Sequence, residues 1–432
     1  MVKSSARKKE VISIVGLGYV GLPLAALAVE KGYKVFGITH GKQKVNALNR
    51  GINTLPDEPS ISATIAKRKL VASTNYSAVR RSDIVIVCVP TPVDHLNNPD
   101  LGPVISASKS IVRNLKKGQL IVIESTINPG VCEEVVLPIL EANGKYKVGR
   151  DFELAHCPER IDPGNAKWNV RNIPRCVGSV TLKGSQRAAK FYRSIISGEV
   201  RVMKSIKEAE ATKIIENTFR DINIAYVNEL AKSFDVLGID VYDVIQGAAT
   251  KPFAFMPHYP SVGVGGHCIA VDPYYLIERA RQAGFDHKFL KLAREINNSM
   301  PGYTVRKLQS ALNEIEKSVK GTTVGVLGLS YKANVGDIRE SPSLKVIELL
   351  KGLGAKVLVY DPYFPEKSSV KSLEALLKGS EAVILATNHK AFLDLKPEAY
   401  KRAHVRVVID GKNALDKQAL QKLGIVYKGI GR

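Results

Sequence analysis

A cysteine follows a run of glycines in Gly263-Val264-Gly265-Gly266-His267-Cys268-Ile269-Ala270-Val271-Asp272-Pro273, a composition that suits covalent chemistry at sulfur. Glycines ahead of a thiol let a substrate carbon come within bonding distance, and the carboxylate of Asp272 can hold a water or a cationic partner. The competing reading is a buried structural thiol in a turn. The neighbouring glycines favour the nucleophile. Upstream, Lys213, Asn217 and Arg220 recur at i, i+4 and i+7. On a helix that spacing gathers an ammonium, an amide and a guanidinium within a sector of about 60°. Spacing alone equally describes a solvated face, although an amide is unusual on a face serving only solubility.

A second chemistry is carried by Gly16-Leu17-Gly18-Tyr19-Val20-Gly21, which directly follows the apolar run Val11–Val15. Such glycines allow a tight turn and bring the N–H groups of a helix N-terminus against a pyrophosphate. The carboxylate expected after the second strand, which would bind a ribose 2′-hydroxyl, is missing, because Ile38 is followed by Thr39-His40-Gly41. Thr39 can still bond a ribose, whereas His40, Lys42 and Lys44 favour a phosphate, so NAD and NADP both stay open. Three more segments end strand-like runs: Pro90-Thr91-Pro92 after Ile84–Val89, Ser125-Thr126 after Leu120–Glu124, and Pro158-Glu159-Arg160-Ile161-Asp162-Pro163-Gly164 after Phe152–Ala155. In an open α/β sheet this carboxyl edge is where ligands sit. Each segment alone is equally a turn.

The elements that must position these residues are legible from periodicity. Strands Val11–Val15, Lys34–Ile38, Ile84–Val89 and Leu120–Glu124 alternate with amphipathic stretches such as Tyr19–Lys31 and Val104–Leu115, the pattern of a parallel sheet with crossover helices. Lys207–Phe234 predicts one long helix stopped by Gly238, and Tyr275–Ala283, Phe289–Ser299 and Tyr303–Lys317 continue the helical character. Strand-helix alternation resumes at Thr322–Leu327, with a helix opened by a capping Ser341 and Pro342 and closed at Gly354, and strands at Lys356–Tyr360, Ala382–Ala386 and Val405–Ile409. The expected fold class is α/β: two Rossmann-like domains, residues 1–205 and 316–432, joined by a central all-helical segment, residues 206–315.

Composition removes other classes. With 432 residues the chain exceeds what one core organises. Five widely spaced cysteines, Cys88, Cys132, Cys157, Cys176 and Cys268, suit neither a disulfide framework nor a metal site. No apolar run is long enough to span a membrane and the polar, basic start lacks a signal-like core, so a cytoplasmic location is expected. The formal charge of +22 divides as +15, −1 and +8 over residues 1–205, 206–315 and 316–432. Nucleic-acid binding is the alternative that charge raises, but 6% aromatic residues and no recognisable motif speak against it. Small phosphate-bearing ligands explain part of the excess; the remainder, including Arg7-Lys8-Lys9, is left unexplained.

Taken in order, GLGYVGLP (16–23), VCVPTP (87–92), ESTINPG (124–130), CPERIDPGN (157–165), KIIENTFRDINIA (213–225), GVGGHCIAVDP (263–273) and DIRESPS (337–343) resemble the UDP-glucose/GDP-mannose dehydrogenase family. The resemblance spans nearly the whole chain and implies a four-electron oxidation of a sugar C6 hydroxymethyl to a carboxylate, with two NAD reduced. It implies that Cys268 traps the aldehyde as a thiohemiacetal that becomes a thioester. Lys213 and Asn217 would stabilise the oxyanion, Asp272 would hold Lys213 or a water, Glu159 would assist proton transfer in hydrolysis, and Thr126 would help place it. Gly16, Gly18, Tyr19, Val20, Gly21, Thr39, Thr91, Thr126 and Arg339 would contact the cofactor. Arg160, Ile161, Lys213, Asn217, Arg220, Gly265, Tyr331, Lys332 and Lys412 would contact the UDP-sugar. The implied parts are an NAD-binding domain, a central domain through which a homodimer forms, and a UDP-binding domain. For the sugar, PERIDPGN with Asn172-Ile173-Pro174 and KPFAFMPHYP (251–260) is similar to UDP-N-acetylglucosamine 6-dehydrogenases, while CIAVDP (268–273) is similar to the UDP-N-acetylmannosamine enzymes. UDP-N-acetylglucosamine is the favoured expectation, with UDP-N-acetylmannosamine or UDP-glucose as alternatives and a two-electron hydroxyacid-type dehydrogenase as a remote one. Ser261 and Val262 depart from the family's usual loop.

Overall fold

The computed structural model describes residues 9–55, 58–94, 99–161, 165, 167–266 and 268–432. Arg7 and Lys8 of the basic start, Asp162, Pro163 and Gly164 of the Glu159 motif, and His267 lie outside the described residues.

The β-branched runs of the first half form one sheet of β1 (Val11–Val15), β2 (Lys34–Ile38), β3 (Leu70–Ser73), β4 (Ile84–Val87), β5 (Gln119–Ile123), β6 (Phe152–His156), β7 (Arg175–Ser179) and β8 (Val200–Val202). Their spatial order is β3-β2-β1-β4-β5-β6-β7-β8. The first six are parallel, with Val15 opposite Ile38 on one side and Val87 on the other. Their 3-2-1-4-5-6 order is that of a dinucleotide-binding fold. β7 reverses against β6, His156 facing Gly178, and β8 runs with β7. Every residue of β4 to β7 is buried, as expected for strands covered on both faces. One apolar layer centres on Ile12, Leu24 and Ile86, the other on Val85, Ile121 and Leu154.

A second sheet holds β9 (Thr323–Leu327), β10 (Lys356–Tyr360), β11 (Ala382–Leu385), β12 (Val407–Asp410) and β13 (Val426–Gly429), parallel throughout in the order β10-β9-β11-β12-β13. This is the shorter doubly wound arrangement, 2-1-3-4-5, and it is likewise packed on both faces.

The helices used below are α1 (Gly21–Glu30), α2 (Leu182–Ile195), α3 (Ile206–Leu237), α4 (Asp272–Gln282), α5 (Lys288–Asn313) and α6 (Pro342–Gly352). The helical reading of Phe289–Ser299 and Tyr303–Lys317 becomes a single helix, α5, which runs through Pro301. Proline removes one backbone donor, yet Met300, Pro301 and Thr304 are all buried, and the Thr304 hydroxyl donates to the Met300 carbonyl at 2.9 Å. Tertiary packing holds the helix across the break. Ser341 stands at the N-terminus of α6 ahead of Pro342, as expected, but its hydroxyl makes no capping bond.

By internal packing the chain forms two units, one comprising the residues up to Glu216 with Tyr274–Ala283, the other Asn217–Pro273 with Gly284–Arg432. Residues 206–315 are shared between them, and the division falls within α3 and α4.

Candidate active site

In the first unit the turn after β1 is built by steric exclusion. Gly16 has φ +93°, and a Cβ there would lie 2.4 Å from the Cys88 carbonyl oxygen; a Cβ at Gly21 would lie 1.9 Å from that of Gly16. Gly18 faces open space. The N–H of Gly16 donates to the Ile38 carbonyl at 2.8 Å, fixing β1 to β2, and α1 follows with no acidic residue in its first turn. The first turn of α1 therefore sets no negative charge of its own against an anion. Tyr19 is exposed beside Val20, and Thr39 is half-buried at the end of β2.

The loops after β4, β5 and β6 reach the same carboxyl edge. Ser125 ties two of them by donating its hydroxyl to the Val89 carbonyl at 2.7 Å, next to half-buried Thr126. Thr91 is buried, its carbonyl accepting from the Tyr275 hydroxyl at 2.5 Å. Glu159 is buried; its Oε1 accepts the N–H groups of Arg160 at 2.6 Å and Ile161 at 2.7 Å, and its Oε2 lies 2.8 Å from Arg175. Arg160 is itself engaged, forking onto Glu216 and donating to the Pro174 carbonyl at 3.0 Å. Lys213 is buried on α3, one turn after Glu210, whose carboxylate accepts the N–H groups of Gly130 at 2.5 Å and Cys132 at 2.8 Å. Burial pushes the Glu210 carboxyl up against those bonds. It pins the helix to the loop that follows β5.

In the second unit, Cys268 is exposed, while Cys88, Cys132, Cys157 and Cys176 are buried. Its carbonyl accepts the N–H groups of Val271 at 3.1 Å and Asp272 at 2.8 Å, so the thiol sits in the turn that starts α4. Asp272 is buried and accepts from the Asn217 amide at 2.5 Å. Of the helical trio, Asn217 is buried and Arg220 is exposed. Burial removes the solvated-face alternative for Lys213 and Asn217, while Arg220 is exposed at the end of the same stripe.

The glycine loop is shaped from both sides. Asn228, farther along α3, accepts the Ser261 N–H at 3.0 Å and donates to Asn297 at 2.8 Å. The Ser261 hydroxyl donates to the Gly263 carbonyl at 3.0 Å, and Val262 is wholly buried. A Cβ on Gly265 would stand 2.7 Å from Tyr331 Cβ, and one on Gly266, at φ +85°, 2.7 Å from the Tyr331 ring. The loop thus lies flat against Tyr331, with half-buried Lys332 adjacent. Arg339 is exposed and forks onto Asp337 at 2.6 and 3.0 Å. That pair raises its guanidinium, with Cys268 and Tyr331 adding to the effect. Lys412 is half-buried, and burial pulls its ammonium down to about 8 against the opposing pull of Asp410.

Several supporting residues have no signature in the sequence. Asp361, buried at the end of β10, accepts the N–H groups of Leu329 at 2.7 Å and Ser330 at 2.9 Å and meets His389 Nε2 at 3.2 Å. His389 Nδ1 accepts the Asn334 N–H at 2.9 Å. Against the cost of burial, these bonds hold the Asp361 carboxyl well below the usual carboxylate range. The pair fixes the loop carrying Tyr331 and Lys332. In the first unit Glu124 and Arg175 are missed in the same way, although Glu124 lies in a quoted motif.

A dinucleotide turn on the first sheet, a presented thiol and a second doubly wound sheet define an oxidoreductase that uses a nicotinamide cofactor. Residues 10–196 match the NAD binding domain of the UDP-glucose/GDP-mannose dehydrogenase family, residues 207–299 its central domain and residues 325–417 its UDP binding domain, and the chain belongs to this family. It is 34% identical over 426 residues to the UDP-N-acetyl-D-mannosamine dehydrogenase of Pyrococcus horikoshii, covering 98% of this chain and 99% of that one. It is 35% identical over 416 residues to the UDP-N-acetyl-D-glucosamine 6-dehydrogenase of Pseudomonas aeruginosa, covering 94% and 97%. The solved UDP-D-ManNAc dehydrogenase of Pyrococcus horikoshii superposes with a TM-score of 0.90 at 33% identity, covering 98% of this chain and 99% of that one. The cofactor is NAD, and the turn fits it: the Cβ positions of Gly16 and Gly21 are closed by backbone, Gly18 is open, and the first turn of α1 carries no acidic residue. No helix among the described residues is long and apolar enough to cross a membrane.

Proposed function

We propose that this protein oxidises the C6 hydroxymethyl of a UDP-N-acetylhexosamine to the uronate through a thioester on Cys268. The observation that carries the reading is an exposed thiol at the start of α4, one turn before a buried Asp272 held by Asn217, in a chain of this family. NAD, when bound, accepts a hydride at each of the two oxidation steps. Between them the Cys268 sulfur bonds to the aldehyde carbon, and the resulting thiohemiacetal gives up its hydride and a proton to become the thioester. Water then bonds to the acyl carbon, the C–S bond breaks, and its electron pair returns to sulfur. The balance is alcohol, water and two NAD⁺ to carboxylate, two NADH and three protons. A thiolate at the start of a helix faces its positive end, which favours the nucleophile. Asn217 donates to the oxyanion and is oriented by Asp272; the oxyanion role of Lys213, the proton transfer by Glu159 and the placing role of Thr126 belong to the same proposal. Tyr331, Lys332 and Lys412 take the UDP end.

The epimer is read two ways. The PERIDPGN segment favours UDP-N-acetylglucosamine, and CIAVDP, with the Pyrococcus relative, favours UDP-N-acetylmannosamine. NADH release measured with both, and with UDP-N-acetylgalactosamine, UDP-glucose and GDP-mannose, decides between them. Two NADH per sugar are expected, and a one-to-one ratio leaves a two-electron dehydrogenase. The proposal includes three parts serving NAD, assembly and UDP, a homodimer formed through the central helical segment, where Phe219 and Tyr226 are exposed on α3, and a cytoplasmic location.

A further inference from the structure

Within the first unit a fully buried guanidinium lies between two carboxylates at the sheet edge. Arg175 opens β7, the strand that runs against β6, so the reversal delivers its side chain to the edge where β5 and β6 end. Glu124 follows β5 immediately and Glu159 follows β6. Arg175 Nη2 stands 2.8 Å from Glu159 Oε2, and Nη1 donates to Glu124 Oε2 at 3.4 Å. The Tyr192 hydroxyl, from α2, donates to Glu124 Oε1, and the Tyr192 ring lies 5.6 Å beneath the guanidinium. The Cys88 thiol is 4.0 Å from Glu124 Oε2. A cation without any exposed surface is costly to bury, and two carboxylates on one guanidinium exceed what charge neutrality asks. Other polar side chains are buried in this sheet, among them Ser13, Gln119, Glu153 and His156, but among the described residues Arg175 is its one buried guanidinium, and the cost of burying it points to a use beyond stability.

We infer that Arg175 is a positioning residue for Glu159: its charge, 2.8 Å away, holds one carboxylate oxygen while hydrogen bonds from the Arg160 and Ile161 N–H groups hold the other, which sets the carboxylate plane for taking a proton from the water that hydrolyses the thioester. The inference rests on the reaction proposed above. As the water oxygen bonds to the acyl carbon, its proton passes to Glu159 and the C–S electron pair returns to Cys268. Glu124 is the second and more distant carboxylate on the guanidinium. Burial pushes its carboxyl up to about 7, Arg175 opposing and Glu159 reinforcing the shift. In its protonated form Glu124 leaves the guanidinium to Glu159. The groups facing Glu124 are Arg175 from β7, Tyr192 from α2, Cys88 after β4, and Cys157 and Glu159 after β6.

The test is a double-mutant cycle on the full-length enzyme with Arg175→Lys, Glu159→Gln and the double variant, followed by steady-state rates, the pre-steady-state NADH burst and mass spectrometry of quenched protein. A misplaced proton acceptor costs on the order of 10²-fold. Arg175→Lys is therefore expected to lower kcat by about 10²-fold, leave KM for the UDP-sugar within about threefold, keep the burst, and accumulate an acyl adduct on Cys268. The double variant should be no slower than the Glu159→Gln single variant. Independent, multiplicative losses, or a burst and steady state that fall together without the adduct, overturn the inference. If Arg175→Lys fails to fold, Arg175→Lys/Glu124→Gln leaves one cation facing one carboxylate and is read in its place by the same criteria. A wild-type ratio of one NADH per sugar sinks the reaction itself, whereas the cycle decides independently whether Arg175 acts through Glu159.

Discussion

The two parallel sheets solve one problem, how to hold loops at a carboxyl edge, with opposite electrostatics. On the first sheet, Glu124 and Glu159 share the Arg175 guanidinium, and Glu124 is pushed up to about 7 by burial. On the second, Asp361 takes three backbone N–H groups, a hydroxyl and His389, and is held well below the usual carboxylate range. One cluster carries spare negative charge and is poised to exchange a proton; the other is saturated and only anchors. The difference accords with what each edge presents: a carboxylate proposed to transfer a proton in one case, and a loop bearing Tyr331 and Lys332 in the other.

The largest expected effect separates the regions outright. Cys268→Ser should lower turnover by on the order of 10³-fold or more while NAD still binds to the glycine turn of the first sheet, as measured by calorimetry or nicotinamide fluorescence. Residual turnover within tenfold of wild type would remove the thioester. Asn217→Ala takes away the proposed oxyanion donor and leaves Asp272 without that amide; a loss in kcat of about 10² is expected, with KM less changed.

The clusters should then answer pH with opposite signs. The folded-state carboxyl of Glu124 lies above its unfolded value of 4.5, so folding favours the proton, and this contribution is present in acid and lost as pH rises from about 4.5 through about 7. Relative to Glu124→Gln, wild type should weaken over that window by on the order of 3 kcal/mol. Asp361 is depressed, so its contribution is present above its ordinary value of 3.8 and fades as pH falls below it. His389→Gln should therefore cost on the order of 3 kcal/mol near neutrality, with the gap to wild type closing in acid. Denaturant titrations across pH read both, and two curves of the same slope would erase the contrast.

Much of this was legible in the residues. The glycine turn, the loops ending at Thr91, Thr126 and Glu159, the Cys268 loop and the long helix all occur where spacing places them, because turn chemistry and helical period are local. Arg175, Glu124, Asp361 and His389 were not legible as a set. Each pairs with a partner far away in the chain, and a lone charge beside an apolar strand carries no local mark of its mate. The reversal of β7, which brings Arg175 to Glu159, is likewise a property of the sheet and not of the residues Arg175–Ser179. The helix through Pro301 escaped for a related reason, since buried neighbours outweigh what proline does locally.

The smallest effect tests where a local rule gives way to its surroundings. Thr181 precedes α2 on the first sheet, and its hydroxyl accepts the Gly184 N–H at 2.9 Å and donates to buried Glu153, so Thr181→Ala removes a working cap together with that bond and should cost at least about 1 kcal/mol. Ser341 holds the equivalent place before α6 on the second, with the residue type that caps best, yet its buried hydroxyl makes no such bond. Pro342, at the first helical position, removes one of the otherwise unpaired N–H groups of that helix end. Removing an unmade hydrogen bond relieves a desolvated group instead of stranding one. Ser341→Ala is therefore expected to change stability by less than about 0.5 kcal/mol in urea titration, and a loss equal to that of Thr181→Ala would show that Ser341 caps α6 after all.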